Sequence, residues 1–251
     1  MLMTPSLEKL QALRLTGMLK ALTEQMEMTD IGELSFEDRL GLLIDREMTE
    51  RANRAMKRRL KAAQIRQAAA VEDVDLKTPR GLDKSLFVSL TSCTWIGRHL
   101  NVLITGPTGV GKSYIACALA QKACREGYSA LYARLSRLLA ELAVAKGDGR
   151  YPKVLHKLAK TNLLVLDDWG LKPLTDPQRH DLLEILEDRY KCQSTLVTSQ
   201  LPVESWHEAV GDPTLADAIL DRLVHNAYRI PKKGESIRKR EARSDLAGGV
   251  E

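Results

Sequence analysis

The spacing of apolar residues predicts helices in the first part of the chain and alternating strands and helices in the rest. In residues 1–70 the apolar positions recur at helical intervals, at Leu15, Met18, Leu19, Leu22 and Met26, then at Leu40, Leu43, Ile44 and Met48. Ser35, with Asp38 three residues later, marks the start of the second helix. Farther along, short apolar runs alternate with helical segments, which is typical of a parallel sheet covered by helices.

Five apolar runs are predicted to form the strands of this sheet. They lie at residues 100–105, 128–133, 163–166, 194–200 and 227–230. The sequence therefore predicts an α/β fold with a parallel sheet flanked by helices, preceded by a small all-α N-terminal domain. The predicted division is a helical domain at 1–70, a linker at 71–95, an α/β domain at 96–231 and a basic C-terminal tail at 232–251.

A glycine-rich octapeptide connects the first strand to the helix that follows it. It matches the pattern G-x-x-x-x-G-K-[ST], and its residues are Gly106, Pro107, Thr108, Gly109, Val110, Gly111, Lys112 and Ser113. In this context backbone N–H groups face a phosphate, Lys112 brings charge to the β- and γ-phosphates, and the Ser113 hydroxyl can hold Mg²⁺. A glycine-rich turn without a ligand is the alternative, but the match of all eight residues favours binding of a nucleoside triphosphate.

Asp167 and Asp168 follow four consecutive apolar residues, which indicates a buried parallel strand that ends in two carboxylates. Ligands bind at this end of the strands in open α/β sheets. We expect Asp167 to hold the Mg²⁺ and Asp168 to orient the water that attacks the phosphoanhydride. An ordinary strand-to-loop cap is the alternative for the pair.

Further polar residues are candidates for contacts to the γ-phosphate. Ser199 and Gln200 end the fourth strand, where a side chain can reach the phosphate or the attacking water, although a polar strand end without a ligand fits as well. Positive charge for the transition state can come from Arg222, Arg229 or Arg189, and a neighbouring subunit can supply it. A surface or interface salt bridge is the alternative for each arginine.

The chain of 251 residues has a net charge of +5, and its basic residues are clustered. The clusters are a helical stripe of Arg51, Arg54, Arg58 and Lys61, a second cluster at a short helix with Arg150, Lys153, Lys157 and Lys160, and a tail with Arg238, Lys239 and Arg240. They predict contacts with the phosphate backbone of duplex DNA, because aromatic residues, at 4%, are too scarce for a platform that stacks single-stranded bases. Solvated helix faces and a solvated tail are the alternatives.

The four cysteines form no C-x-x-C pair and no histidine lies at metal-ligand spacing, which favours free thiols in a reducing compartment. The first residues lack the charged and apolar regions of a secretory signal. No apolar run approaches the ~20 residues that a membrane span needs. We therefore expect a cytoplasmic protein.

The ordered set of motifs resembles the IstB family of insertion-sequence ATP-binding proteins. The stretches that carry the resemblance are Gly106–Ser113, Leu163–Gly170, Leu182–Tyr190, Thr198–His207 and Ala227–Ile230. Members of this family are AAA+ ATPases related to the helicase loader DnaC and the replication initiator DnaA. The resemblance extends over nearly the whole chain, including the N-terminal helices.

The resemblance implies an AAA+ P-loop NTPase core in which the strand before Gln200 lies between the P-loop strand and the strand before Asp167. It implies ATP-dependent homo-oligomers on duplex DNA, with each ATP site shared between subunits. It also implies assistance to the transposase IstA in target selection and DNA integration. Arg222 resembles the arginine finger of DnaA-type proteins, and Gln200 resembles the polar residue of the first sensor.

Two departures from the family pattern qualify these expectations. Many AAA+ enzymes have Glu where this chain has Asp168, and the shorter side chain predicts slow ATP turnover. Few residues follow Ile230, so we expect no C-terminal helical lid and no second-sensor arginine.

Three alternatives to a transposition helper carry weight at this point. A DnaC-like replicative helicase loader has the same motifs and differs in its client. A small-molecule P-loop kinase is disfavoured by the long segment before the P-loop and by the lack of an evident lid for a second substrate. A nucleotide-gated scaffold, in which hydrolysis is incidental, stays open because of Asp168.

Overall fold

The computed structural model describes residues 3–78 and 80–237, with only the backbone of Met3 and Thr4. The chain forms two compact units, of which the first ends at Arg58 and the second begins at Arg59. The three basic residues predicted to act in the C-terminal tail, Arg238, Lys239 and Arg240, lie outside the described residues.

The described residues of the first unit form helices α1 (Met3–Ala12) and α2 (Thr16–Glu27), a 3₁₀ turn (Ile31–Glu33) and most of α3 (Phe36–Ala62). Just before α3, Ser35 Oγ accepts a 3.1 Å hydrogen bond from the N–H of Asp38. This contact satisfies one of the free N–H groups of the first turn and confirms the helix start predicted at Ser35.

Glu47 of α3 ties the start of α2 to the middle of α3. Its Oε2 accepts hydrogen bonds from the N–H groups of Gly17 at 2.7 Å and Met18 at 3.3 Å. A Cβ at Gly17 would lie 2.6 Å from the Cα of Glu47, so only glycine permits this approach of the two helices. The buried carboxylate thus caps α2 in place of a residue from α2 itself.

The second unit is built on a five-stranded parallel sheet. Its strands are β1 (Asn101–Thr105), β2 (Ala130–Arg134), β3 (Leu163–Trp169), β4 (Ser194–Ser199) and β5 (Ala227–Pro231). Their order in the sheet is β2-β3-β4-β1-β5, and every pairing is parallel. The strand before Gln200 therefore lies between the P-loop strand and the strand of Asp167, as the resemblance to AAA+ proteins implies.

Helices cover both faces of the sheet. They are α4 (Lys84–Thr91), α5 (Thr94–Gly97), α6 (Lys112–Arg125), α7 (Leu135–Gly147), α8 (Tyr151–Lys160), α9 (Asp176–Arg189), α10 (Trp206–Val210) and α11 (Pro213–Val224), with 3₁₀ turns at Val71–Asp73 and Val203–Ser205. Successive residues of β1 belong to opposite cores: Val102 and Ile104 pack with α4 to α6, whereas Leu103 packs with α7 to α11. A sheet buried on both faces explains the unbroken apolar runs in its strands.

The segment 71–95, predicted to be a linker, is instead part of the packed second unit. It contains α4, whose N-terminus is capped by a 2.8 Å hydrogen bond from the N–H of Leu86 to Asp83 Oδ1. Phe87 and Leu90 are each only 1% exposed. The sequence did not predict this helix, because α4 is short and its two buried residues are too few to show a helical period.

In the part of the chain that the structure describes, no helix combines the length and the apolar composition needed to cross a membrane.

Candidate nucleotide-binding site

The glycine-rich loop leaves β1 and enters α6 as predicted. Gly106 and Gly109 have φ angles of +141° and +84°, in the region that favours glycine, and Lys112 is the first residue of α6. A Cβ at Gly106 would lie 2.2 Å from the carbonyl oxygen of Lys232, in the segment that follows β5. The loop is therefore held between the carboxyl end of β1 and that segment.

Lys112 is turned back onto its own loop. Its Nζ donates hydrogen bonds of 2.7 Å to the carbonyl oxygens of Gly106 and Pro107. The side chain is buried, and burial lowers the pKa of its ammonium group, whereas Asp167 and Asp168 act in the opposite direction. The loop thus keeps a partly desolvated cation beside two carboxylates. Because the ammonium group of Lys112 is buried, its attraction to a phosphate would be stronger than in water.

Asp167 is fully buried and accepts hydrogen bonds from three hydroxyl groups. Ser113 Oγ lies 2.8 Å from its Oδ1, and the hydroxyls of Thr198 and Tyr132 donate to Oδ1 and Oδ2 respectively. Burial and the neighbouring Asp167 raise the pKa of Tyr132, so that its hydroxyl remains a donor. β2 and β4, the neighbours of β3 in the sheet, thereby orient the carboxylate toward α6.

Ser113 and Asp167 form a donor set that fits Mg²⁺. Both supply oxygen atoms, and Mg²⁺ typically takes one or two such protein ligands and completes its shell with water and phosphate oxygens. Among the described residues no group of three His, Cys, Asp or Glu side chains is placed to hold a metal ion, so a closed protein cage is not formed there.

Asp168 occupies an irregular position at the end of β3. The register between β3 and β4 shifts between Leu166 and Trp169, and Asp168 has a φ angle of +66°. Such a bulge redirects a side chain at a strand end. The carboxylate is 31% exposed and lies 3.5 Å from the Nε of Arg134. Burial and Asp167 raise the pKa of Asp168, and Arg134 partly offsets this.

The structure brings one of the two candidates at the end of β4 to the loop. Thr108 Oγ1 donates a 2.7 Å hydrogen bond to Gln200 Oε1, so the amide of Gln200 lies directly beside the glycine-rich loop. Ser199 is fully buried, and its hydroxyl donates instead to the carbonyl oxygen of Trp169. Geometry therefore favours Gln200 over Ser199 for a contact with the ligand.

Arg222 lies at the opposite end of the sheet from the loop. Its carbonyl oxygen accepts a 3.0 Å hydrogen bond from Asn101, the first residue of β1, whereas the loop follows the last residue of that strand. Its guanidinium pairs with Glu187 at 2.5 Å and lies above the ring of Tyr190. With ~3.3 Å per strand residue between them, Arg222 cannot reach the loop of its own chain.

Arg189 is a structural residue. Only 1% of it is exposed, and it donates to Thr195 Oγ1 and to the carbonyl oxygens of Leu158, Thr161 and Ser194. Burial lowers the pKa of this guanidinium. Because its donors are used inside the unit, it is not available as an arginine finger. Arg229 is exposed on β5, an edge strand.

The first unit contains a basic groove. Residues of the predicted stripe line it together with Arg14, which the sequence did not suggest. The groove is lined by Arg14, Arg51, Arg54, Ala55, Lys57 and Arg58. Arg14 comes from the turn between α1 and α2, far from α3 in sequence, and no periodicity could assign it to the stripe. Glu47 binds Arg51 at 2.6 Å and Arg54 at 3.5 Å, which leaves Lys57 and Arg58 as the more available cations.

Three further predicted DNA contacts are exposed in the described part of the chain. Lys61 lies on α3, and Lys153 and Lys157 lie one turn apart on α8.

Comparison with known proteins reveals relatives over nearly the whole chain. The sequence model of a family described as "IstB-like ATP binding protein" matches residues 8–245. The chain is 54% identical over 243 residues to the insertion sequence ATP-binding protein y4pL of Sinorhizobium fredii, which covers 97% of this chain and 99% of that protein. It is 50% identical over 198 residues to the insertion sequence IS1162 ATP-binding protein of Pseudomonas fluorescens, with coverage of 78% and 86%.

Two solved structures share the fold. The DnaC helicase loader matches with a TM-score of 0.55 at 19% identity and covers 66% of this chain and 97% of that chain. The replication initiator DnaA bound to AMPPCP and single-stranded DNA matches with a TM-score of 0.57 at 13% identity and covers 74% and 56%. At 19% and 13% identity, the likeness concerns the AAA+ fold alone.

Proposed function

Because the chain belongs to the family of IstB-like ATP-binding proteins, we propose that it is an ATPase that assembles on duplex DNA and assists a transposase in target selection and integration. ATP binding and the link to insertion sequences belong to the family. Hydrolysis, DNA binding, assembly and the transposase IstA as partner are the proposal.

The observation that carries the ATPase part is the hydrogen bond between Ser113 and Asp167 at the carboxyl edge of the sheet. It places a hydroxyl and a carboxylate together beside Lys112, with Asp168 next in the chain. When bound, Mg²⁺ would neutralise charge on the phosphate oxygens. Lys112 would bind the β- and γ-phosphates, Ser113 and Asp167 would hold the metal, and Asp168 would accept a hydrogen bond from the attacking water.

The placement of Arg222 supports a site shared between subunits. It lies at the amino end of β1, whereas the loop lies at the carboxyl end, so any action on a nucleotide would be at the site of a neighbouring chain, after release from Glu187. Arg229 is the alternative finger, since it is exposed on the edge strand β5, whereas the side chain of Arg222 is only 21% exposed. Gln200 contacts the γ-phosphate or the water from within the same chain.

The basic groove of the first unit supports DNA binding. Lys57 and Arg58 are exposed, and the charges of the groove are suited to the phosphate backbone rather than to base edges. Lys61, Lys153 and Lys157 extend the set of candidate phosphate contacts. Binding of this kind has little sequence preference and is weakened by salt.

A transposase is favoured over a replicative helicase as the client. The relatives with 54% and 50% identity are ATP-binding proteins of insertion sequences, whereas the match to the DnaC helicase loader at 19% identity concerns the fold. Affinity capture with each client tests the choice: retention by the transposase alone agrees with the proposal, and retention by the helicase alone contradicts it.

Electron microscopy of the protein with ATP, Mg²⁺ and duplex DNA tests the assembly. We expect oligomers around or along DNA for the wild type and none for Lys112→Ala, which lacks the phosphate-binding charge. Lys122→Ala is the matched control, because Lys122 lies on the same helix and pairs only with Glu126 among the described residues. Normal ATP-driven assembly of Lys112→Ala would contradict the proposal.

The salt dependence of DNA affinity tests the groove. Removing Lys57 and Arg58 together should lower the slope of log affinity against log salt by about one unit for each phosphate that the protein no longer neutralises. Lys20→Ala is the control, because Lys20 belongs to the same unit but pairs with Glu50. A slope unchanged by the double substitution would remove the groove from the DNA interface.

A further inference from the structure

Two buried cations, one beside the glycine-rich loop and one against the segment that follows β5, have no part in the function proposed above. Arg80 is 8% exposed and Lys232 is 4% exposed. Charged side chains are rarely buried unless they are paired with an opposite charge. Neither residue takes part in a salt bridge among the described residues.

Lys232 is placed directly over the start of the loop. It follows β5, and its N–H donates a 2.7 Å hydrogen bond to the carbonyl oxygen of Thr105, the last residue of β1. A Cβ at Gly106 would lie 3.1 Å from the Cβ of Lys232. Pairing with β1 thus continues one residue past β5 and brings Lys232 to the first glycine of the motif.

Arg80 is held against the same segment. Its carbonyl oxygen accepts a 2.9 Å hydrogen bond from the N–H of Lys233, and a Cβ at Gly81 would lie only 2.2 Å from the carbonyl oxygen of Pro231. The backbones of 80–81 and 231–233 are therefore in close contact, and the two buried cations lie on neighbouring segments of the chain.

The two cations share one carboxylate, Asp75, so one positive charge is in excess in this part of the described chain. Burial lowers the pKa of Lys232, the positive charge of Arg80 lowers it further, and the opposing contribution comes from Asp75. The carboxylate of Asp75 is already engaged by the N–H groups of Lys77 and Thr78. Arg80 also has a buried Nη1 with no hydrogen-bond partner in the described part of the chain. Such an unsatisfied donor is costly, and an anion would satisfy it.

We propose that Arg80 and Lys232 form an anion-binding position that takes an oxygen of the nucleotide's polyphosphate, next to the glycine-rich loop. This inference rests on the proposed binding of ATP at that loop. Three observations support it: two buried cations that share only one carboxylate, one unsatisfied donor on Arg80, and the location of Lys232 at Gly106, where the phosphate-binding loop begins.

An anion-binding pair and a purely structural pair should respond differently to substitution. Removing one of the two cations relieves repulsion and desolvation in the nucleotide-free protein, and this gain offsets the lost attraction to Asp75, so the melting temperature should stay the same or rise. The same change should weaken ATP binding. A structural role would instead lower the melting temperature of the nucleotide-free protein.

The test compares Lys232→Met and Arg80→Met with Lys233→Met in the full-length protein. Lys233 is the matched control, because it is the next residue in the same segment and its side chain is exposed. ATP affinity is measured by calorimetry with Mg²⁺, and melting is measured without nucleotide. We expect at least tenfold weaker binding for the first two variants, about 1.4 kcal/mol, and less than a twofold change for the control. Lys232→Arg, which keeps the charge, should stay within threefold of the wild type.

The outcomes separate this inference from the proposed function. If the wild type binds ATP and Lys112→Ala does not, the proposed nucleotide site stands. Wild-type affinity of both Met variants then overturns the anion-binding position alone, as does a loss of folding or a lower melting temperature in those variants. If the wild type itself fails to bind ATP, the proposed function and the inference are both overturned.

Discussion

Ser113 Oγ donates a 2.8 Å hydrogen bond to Asp167 Oδ1, and this contact joins the first turn of α6 to the carboxyl end of β3. Tyr132 of β2 and Thr198 of β4 bond the same carboxylate. Four elements of the second unit therefore meet at one buried side chain. Three hydroxyl groups hold Asp167 in place, whereas its neighbour Asp168 is partly exposed. Substitutions of the two aspartates should therefore impair different steps of ATP binding and hydrolysis.

Asp167→Asn should weaken ATP binding only when Mg²⁺ is present. The amide is a poorer ligand for a hard cation than the carboxylate, whereas the surrounding hydroxyls can turn to suit it. We expect at least tenfold weaker affinity with Mg²⁺ and wild-type affinity in excess EDTA, both by calorimetry. An equal loss under the two conditions would show that Asp167 acts on the loop rather than through the metal.

Asp168→Asn should bind ATP as the wild type does but lose turnover. The proposed role of Asp168 is to accept a hydrogen bond from the attacking water, and removal of such a group typically costs 10²- to 10⁴-fold in rate. Steady-state phosphate release with DNA present measures the effect. Asp176→Asn, an exposed acid at the start of α9, is the control. Unchanged hydrolysis would exclude Asp168 from this role.

Arg222→Ala should lower ATP turnover and be rescued by mixing with Lys112→Ala. In a mixed assembly some interfaces combine an intact loop from the first variant with an intact arginine from the second. Arg229→Ala, mixed in the same way, decides between the two candidate fingers. Turnover that does not rise above the sum of the separate variants would argue against action between subunits.

Glu47 should make the stability of the protein depend on pH in the acidic range. Hydrogen bonds from Arg51 and from the N–H groups of Gly17 and Met18 lower the pKa of its carboxyl below the usual 4.5. A lowered pKa in the folded state means that the stabilisation is complete above the unfolded value and is lost as the pH falls through the folded value.

The measurement is urea unfolding of wild type and Glu47→Gln between pH 7 and pH 3. We expect the substitution to cost roughly 1–3 kcal/mol at neutral pH, as for an impaired buried hydrogen bond to a charged group, and progressively less in acid. Glu50→Gln is the control, because Glu50 makes a partly exposed pair with Lys20, and such pairs contribute little to stability. A difference that does not shrink in acid would contradict the role of the Glu47 charge.

Much of the fold could be predicted because its signals are local. The five strands, the capped start of α3 and the loop at Gly106–Ser113 each follow from a few neighbouring residues whose spacing or chemistry has one common structural meaning. The resemblance to the IstB family placed the strand order as well, and both the family and the order are confirmed. The prediction of a linker at 71–95 was wrong because the helix in this segment is short and buried and shows no clear amphipathic pattern in the sequence.

The residues that surround the candidate site were harder to predict. Thr198 and Tyr132 are ordinary strand residues in sequence, and only the parallel register places their hydroxyls on Asp167. Arg189 carried the same signal as Arg222, an arginine near the end of a helix. Burial excludes Arg189 as a finger, whereas Arg222 lies at the amino end of β1 and cannot reach the loop of its own chain.

By itself, the sequence determined the α/β class, the family and the phosphate-binding loop, because a strand, a glycine-rich turn and a helix start are written in contiguous residues. The motifs also pointed to Asp167 and Gln200 as partners of that loop, but only tertiary structure decided the contacts by which distant groups reach it. Asp167 meets Ser113 across the sheet, Gln200 meets Thr108, and Lys232 is laid over Gly106 by its pairing beyond β5. Such contacts depend on strand order and register, which cannot be predicted from a short stretch of sequence.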